Sequence, residues 1–218
     1  MNLRQQMKTV FLDLDGTLTD PKPGILRSLC HALDVLGHPM PEGDLDWVIG
    51  PPLNETFLRL GVGDVERAIF LYRERYQAIG LFENRVYDGI TEALAQLSGA
   101  GYRLCIATAK PHAYARRITA HFGLAPFMEA EFGPELDGRR NDKGDLLAHA
   151  LAVLGLEAQD CLMIGDRIHD MEAARRVGMQ AIGVEWGYGT AAELEYASRR
   201  CRLPEELPGV VEALAAPA

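Results

Sequence analysis

The sequence predicts an α/β protein: a doubly wound parallel sheet with a smaller, all-helical domain inserted after its first strand. Three observations predict it. Short, continuously apolar runs alternate with segments of helical periodicity, the pattern of parallel βαβ units whose strands are covered on both faces. That alternation breaks once, between residues 20 and 86, where only helical periodicity is found. The chain has 218 residues, 48% of them hydrophobic and 24% charged, enough for one large domain with a modest insert.

Taken in order, the first strand is TVFLDLD, from Thr9. The insert follows, with Ile25, Leu29, Leu33 and Leu36 on one helical stripe and Val65, Ile69, Tyr72, Tyr76 and Ile79 on another. Prolines and glycines punctuate it at PKPG, HPMPEG and GPPL. It is too long for an ordinary βα loop. We therefore expect a core of residues 1–19 and 87–218 and a helical domain of residues 20–86. That domain should hang over the carboxyl end of the sheet, where open α/β folds bind ligands.

Back in the core, ITEALAQLSGAG places Ile90, Leu94 and Leu97 together and stops at glycine. Strands follow at YRLCIAT from Tyr102 and MEAEFG from Met128. The next helix, KGDLLAHALAVLG, gathers Leu147, Ala150, Leu151 and Leu154 and again ends in glycine. CLMIGD from Cys161 and QAIGVEW from Gln180 are the last two strands. Between them HDMEAARRVG carries Met171, Ala174 and Val177 up to Gly178. No internal repeat is present, and the only biased tract is the alanine-rich end.

Charge narrows the function. At a net −9 with no basic run, most of the surface would repel a nucleic-acid polymer, whereas a small anion needs only a few cations in one pocket. No apolar run approaches the roughly 20 residues of a membrane-spanning helix. The opening MNLRQQMKTV lacks the apolar stretch of a secretory signal. Cys30, Cys105, Cys161 and Cys201 form no CxxC pair, so reduced thiols in a cytoplasmic protein are expected.

Four local signals carry chemistry. In FLDLDGTLTD, Asp13 and Asp15 stand two apart at a strand end and so share a face. Burying two like charges there is costly without a cation or donors. Gly16 permits a tight backbone that can turn N–H groups toward an anion. In GDRIHD, Asp166 ends a strand and Asp170 falls about one helical turn on, which suits a hard cation or, equally, a helix cap. In IATAKP, the Thr108 hydroxyl and, past Ala109, Lys110 can hold a phosphate oxygen. Lys143 opens the helix before the fourth strand, a place where a lysine is commonly just solvated.

Together these signals, in this order and over nearly the whole chain, resemble the haloacid dehalogenase superfamily of phosphohydrolases. DLDGT resembles its nucleophile motif, Thr108 its hydroxyl motif, Lys143 its lysine motif and GDRIHD its metal motif. The insert looks like that superfamily's first cap type, on a Rossmann-like core. The resemblance implies that Asp13 attacks phosphorus and that Asp15 acts as general acid and base. Thr108 and Lys143 would steady the phosphoryl oxygens. Mg2+ would be held by the Asp13 carboxylate, the Asp15 carbonyl and Asp166, with Asp170 orienting a ligand or water. Two positions depart from the pattern: Gly144 follows the lysine where many relatives carry proline, and Pro21 stands where serine is usual.

Other signals carry less. The G-x-G-x-x-A run from Gly187 to Ala192 mimics a dinucleotide fingerprint, but too little chain follows to complete such a domain, so it reads as a loop at the site's rim. His169 and His112 read as ordinary polar residues. On LYRERY, Tyr72 and Tyr76 would pack, leaving Arg73 or Arg75 to solvent or to substrate; Arg73 is the candidate. A dehalogenase or phosphonate hydrolase does not need Asp15. A phosphomutase shares all four motifs and remains the rival, and a catalytically silent binding protein is the alternative outside enzymes. TAKP, GPPL and WGYG resemble the 5′-nucleotidase and phosphoglycolate phosphatase branch. The expected substrate is thus a small phosphorylated metabolite, a nucleoside 5′-monophosphate or 2-phosphoglycolate, handled by a monomer or homodimer.

Overall fold

The computed structural model describes residues 9–136 and 138–215. The first eight residues, on which the signal-peptide expectation largely rests, and the last three of the alanine-rich end lie outside the described residues. In chain order the strands are β1 (Thr9–Leu12), β2 (Thr19–Asp20), β3 (Arg85–Val86), β4 (Arg103–Ala107), β5 (Met128–Phe132), β6 (Cys161–Gly165), β7 (Gln180–Val184) and β8 (Arg199–Cys201). The helices are α1 (Lys22–Val35), α2 (Leu53–Arg59), α3 (Val65–Ala78), α4 (Ile90–Gly99), α5 (His112–His121), α6 (Lys143–Leu154), α7 (Ile168–Val177) and α8 (Leu207–Ala215). They divide into two compact units, Met1–Thr19 with Val86–Ala218, and Asp20–Arg85.

The first unit is built on a six-stranded sheet of order β5-β4-β1-β6-β7-β8, with every pair parallel. The chain starts at the centre, fills one side through β4 and β5, then crosses to build the other. This reversal beside β1 is the switch point at which open α/β sheets form a crevice at their carboxyl ends. Leu12 stands level with Ile106 of β4 and Ile164 of β6. The residues leaving these three strands therefore emerge at one edge.

Strand alternation sorts the core. Phe11, level with Cys105 and Met163, joins Leu147 and Ala150 of α6 and Met171 and Ala174 of α7 in one buried cluster. Val10 and Leu12 point to the other face, and α4, with Ile90, Leu94 and Leu97 buried, packs on β4. α6 and α7 end at Gly155 and Gly178, whose φ of 63° and 82° only glycine adopts freely.

All five expected strands form, and β8, α5 and α8 are additional. β8 buries only Cys201 behind two exposed arginines, so it has no apolar run to read. In α5 the buried stripe of Tyr114, Ala115, Ile118 and Thr119 is diluted by Arg116 and Arg117. α8 carries Pro208 and Gly209 in its first turn, and these read as turn residues.

The second unit is helical. α1 packs on α3 and α2 on α3, burying Ile25, Leu29, Ala32, Leu33, Phe57, Ala68, Leu71, Tyr72 and Tyr76. The Tyr72 and Tyr76 rings stack at 5.3 Å, and Phe57 meets Tyr72 edge-on at 6.4 Å. Two details correct the sequence expectation. The buried stripe of α3 runs through Ala68 and Leu71 with Tyr72 and Tyr76, and Ile79 is 54% exposed because the helix ends at Ala78 and Ile79 caps it in a non-helical conformation. Its ends are not helical either, since β2 and β3 pair as a two-stranded ribbon.

Among the described residues no helix is long and apolar enough to cross a membrane.

Candidate active site

Asp13 directly follows β1 and continues its ladder, its N–H donating to Ile164 O at 2.9 Å. The chain then turns sharply: the N–H groups of Thr17, Leu18 and Thr19 all point at Leu14 O, within 2.9–3.3 Å. Gly16 sits at φ 84°, and a Cβ there would lie 2.3 Å from Asp166 Oδ2. Both the backbone and the neighbouring carboxylate require glycine at this position.

Asp13, Asp166 and Asp170 are buried, and each offers one oxygen within 4.8 Å of the others. Lys143 enters this cluster from the first residue of α6. Its Nζ lies 2.9 Å from Asp13 Oδ1 and also pairs with Asp170 Oδ1. It is a buried lysine, not a solvated one. Asp170 has two duties: Oδ2 accepts from Arg167 N at 3.0 Å, capping α7, while Oδ1 faces Lys143. The cap and the carboxylate cluster thus share one residue.

Asp166 Oδ2 accepts from Tyr188 N at 2.7 Å, and its buried Oδ1 has no hydrogen-bond partner. Desolvation, then the neighbouring Asp170 and Asp13 carboxylates, push Asp166 up to about 8. Desolvation also raises Asp170, to about 6, against the pull of Lys143. For Lys143, burial opposes the charge, but Asp13 and Asp170 outweigh it and hold the ammonium well above its ordinary value.

Thr108 follows β4, is buried, and anchors its N–H on Phe132 O at 3.1 Å. Its Oγ1 accepts from Lys110 N at 3.1 Å, which leaves the hydroxyl proton for another acceptor. Ala109 between them is exposed. Lys110 turns its ammonium onto Asp15, with Nζ 2.6 Å from Oδ2. Loss of hydration raises the Asp15 carboxyl, and Lys110 draws it back.

Asp13, Asp15, Gly16, Thr108, Ala109, Lys110, Lys143, Asp166 and Asp170 all belong to the sheet unit. Arg73 does not: it is an exposed residue of α3 in the helical unit. Arg75, its neighbour, is committed to Glu83 through two hydrogen bonds of 2.7 and 3.0 Å. His169 is exposed.

Sequence reasoning missed the supports. A Cβ on Gly165 would lie 2.1 Å from Asp170 Cγ, and one on Gly187 would lie 2.4 Å from Asp166 Cβ. At Gly189 it would meet Asp166 O at 1.7 Å. Trp186 Nε1 donates to Thr17 O at 3.0 Å, tying this loop to the turn after Asp13. The G-x-G spacing was the available signal, and it marks close backbone approach to a carboxylate rather than to a dinucleotide.

An aspartate pair at a sheet's carboxyl edge, one buried and one half-buried, flanked by a hydroxyl and a lysine and joined by two further carboxylates, defines an enzyme of phosphate ester chemistry. Residues 7–178 match the family model described as haloacid dehalogenase-like hydrolase. The chain belongs to that family, and it is a phosphatase. It is 47% identical over 189 residues to a 5′-nucleotidase of Pseudomonas aeruginosa, covering 85% of this chain and 86% of that one. It is 46% identical over 191 residues to the tyrosine-protein kinase PtkA of Mycobacterium tuberculosis, covering 87% of this chain but 66% of the kinase. The crystal structure of a predicted phosphatase from Clostridium acetobutylicum superposes with a TM-score of 0.85 at 35% identity, over 95% of this chain and 99% of that one.

Proposed function

We propose that the chain hydrolyses small phosphomonoesters through an aspartyl phosphate on Asp13, with nucleoside 5′-monophosphates preferred and 2-phosphoglycolate second. The observation that carries this reading is that Asp13, Asp15, Thr108 and Lys143 share one carboxyl edge, Asp13 already bound to Lys143. The preference for nucleotides draws on the 47% identity to the 5′-nucleotidase.

The donors fit magnesium. They are all oxygen, Asp166 Oδ1 is buried without a hydrogen-bond partner, and four carboxylates face only two ammonium groups. The formal deficit of two positive charges is what a divalent ion supplies. The Asp13 carboxylate, the Asp15 carbonyl and Asp166 would hold it, with Asp170 orienting its shell. When bound, it offsets the repulsion between carboxylate and phosphate dianion.

An Asp13 carboxylate oxygen forms the bond to phosphorus as the bond to the leaving oxygen breaks. Asp15 gives that oxygen its proton, then takes one from the water that attacks phosphorus and frees Asp13. The Thr108 hydroxyl and Lys143 hold the oxygens of the transferring group in both steps. Gly16 and Ala109 line this phosphate end of the site, and Lys110 turns to Asp15. Arg73 is kept as a candidate substrate-binding residue of the helical unit. With a net charge of −9, the protein acts on free metabolites rather than nucleic-acid polymers or membranes, as a cytoplasmic monomer or homodimer.

The test is phosphate release from a panel of phosphorylated metabolites, with magnesium and with chelator. No release from any ester with magnesium present sinks the reading. Conversion of a hexose phosphate to its isomer without free phosphate would instead mark a phosphomutase. The identity to PtkA favours a second reading, phosphoryl transfer to tyrosine, for which ATP and a tyrosyl peptide join the panel. Hydrolysis is preferred because the family model that matches residues 7–178 is a hydrolase's and the 5′-nucleotidase is matched over 86% of its own length.

A further inference from the structure

The two buried lysines of the sheet unit divide the aspartate pair between them. Lys143 pairs with Asp13, and Lys110 pairs with Asp15. The Lys110 side chain is only 8% exposed, and its Nζ lies 2.6 Å from Asp15 Oδ2. The other oxygen, Asp15 Oδ1, is buried with no hydrogen-bond partner. One oxygen is held by the lysine and the other is enclosed by protein, so the carboxyl has a single fixed setting.

Backbone contacts fix the lysine from which that ammonium reaches. Its N–H donates to Thr108 Oγ1 at 3.1 Å, and Thr108 N is itself fixed on Phe132 O. A Cβ on Gly133 would lie 2.5 Å from Lys110 O, so glycine there admits the close approach of the loop after β5. His112 N, two residues on, donates to Pro134 O at 2.9 Å. The base of Lys110 is thus pinned from both sides.

We propose that Lys110 is a positioning residue for acid–base chemistry: its ammonium clamps Asp15 Oδ2 and so holds the Asp15 carboxyl in the setting from which it serves the leaving-group oxygen. This departs from the sequence expectation that Lys110 holds a phosphate oxygen, and it rests on the reading of Asp15 as general acid and base. A clamp of this kind matters in proportion to how much the leaving group needs a proton. An alkoxide leaves only if protonated, whereas 4-nitrophenolate leaves without help. A lysine that held phosphate would instead serve every ester equally.

The experiment compares kcat/KM for alkyl phosphates and 4-nitrophenyl phosphate, with magnesium, in the wild type, K110M, D15N and the double variant. K110M is expected to lose about 100-fold on alkyl phosphates and less than about fivefold on the aryl ester. D15N should show the same contrast, and D15N/K110M should match D15N within about twofold, because the clamp has nothing left to hold. Equal loss by K110M on both ester types overturns the proposal, as does a double variant whose losses multiply. Should K110M not fold, K110R carries the test, since a displaced guanidinium shifts Asp15 while the charge stays. Alkyl esters must still lose more than the aryl ester. If D15N itself shows no contrast, the assignment of Asp15 fails; if D15N shows it and K110M does not, only the role of Lys110 fails.

Discussion

The sheet unit and the helical unit each contain a charge network at reduced solvent exposure, and the two are built to opposite ends. In the helical unit Glu83 accepts two hydrogen bonds from Arg75 and another from Arg27 at 2.9 Å, and Arg75 also donates to Ser28 Oγ at 3.2 Å. The Arg75 hydrogen bond outweighs burial and holds the Glu83 carboxyl below its ordinary value. In the sheet unit burial and mutual repulsion push Asp166 and Asp170 up. A network whose acids are lowered is electrically finished and serves the fold. One whose acids are raised is short of positive charge, and that shortage is what a ligand can fill.

Asp13→Asn is the largest test of this contrast. The amide cannot form the aspartyl phosphate, so turnover should fall by at least about a thousandfold while far-UV circular dichroism and melting stay native. A folded Asp13→Asn protein with near-wild-type phosphate release would reduce the carboxylate cluster to another structural network.

Metal and pH give the next effect. Asp166, raised to about 8, and Asp170, raised to about 6, keep protons in the folded state that an ordinary aspartate at 3.8 has already released. Across that window the folded state binds more protons than the unfolded one, so the metal-free protein loses stability as pH rises from about 4 toward 8. Magnesium binds the ionised cluster, so the rise in Tm on adding it should be larger near pH 8 than near pH 5.5. Thermal melts with and without chelator read this, and an equal or smaller shift at the higher pH would count against the site. Chelation should also stop turnover reversibly, and calcium should inhibit because its larger, looser shell misplaces the reacting atoms.

The same contrast explains what was legible in the sequence. Strands such as CLMIGD announce themselves because both faces are buried, and the catalytic residues do so because they stand at strand ends in fixed order. β8 did not, since an edge strand carrying Arg199 and Arg200 lacks an apolar run. Lys143 taken alone looked solvated, and only its place in the order of the four motifs marked it as catalytic, since nothing local shows that its partners are Asp13 after β1 and Asp170 on α7. Arg75 looked free because its partner Glu83 lies beyond the end of its helix. Gly187 and Gly189 were visible as residues but not as a cradle, because what they admit, Gly16 O and the Asp166 side chain at Gly187 and Asp166 O at Gly189, lies earlier in the chain.

On the finished side, Glu83→Gln should cost about 1–3 kcal/mol of stability at neutral pH, by leaving the Arg75 guanidinium short of its partner. The wild-type stabilisation is present above the ordinary glutamate range and is lost as pH falls through the lowered Glu83 value, so the two proteins should converge in acid. Denaturant melts across pH measure it. Hydrolysis of a small aryl phosphate should stay within about threefold of wild type. A selective change in kcat there would mean that this network reaches the chemistry after all.

The smallest effect is expected at Gly144, where the chain departs from the lysine–proline pattern. A Cβ here would lie 2.5 Å from the Arg176 guanidinium, which crosses the start of α6 to pair with Asp142 at 2.8 Å and with Asp145. The side chain in the way is flexible and 52% exposed, so it can swing aside. Exposed pairs of this kind contribute about 0–1 kcal/mol. Alanine in place of glycine within a helix returns about 0.5–1 kcal/mol. The two terms nearly cancel, and Gly144→Ala should shift stability by no more than about 0.5 kcal/mol. Activity should hold as well, because Lys143 is fixed by Asp13 and Asp170 and not by Arg176. A tenfold loss of kcat with unchanged stability would show that the surface pairs at the start of α6 aim Lys143, and that the finished and unfinished networks are not as separate as their charges indicate.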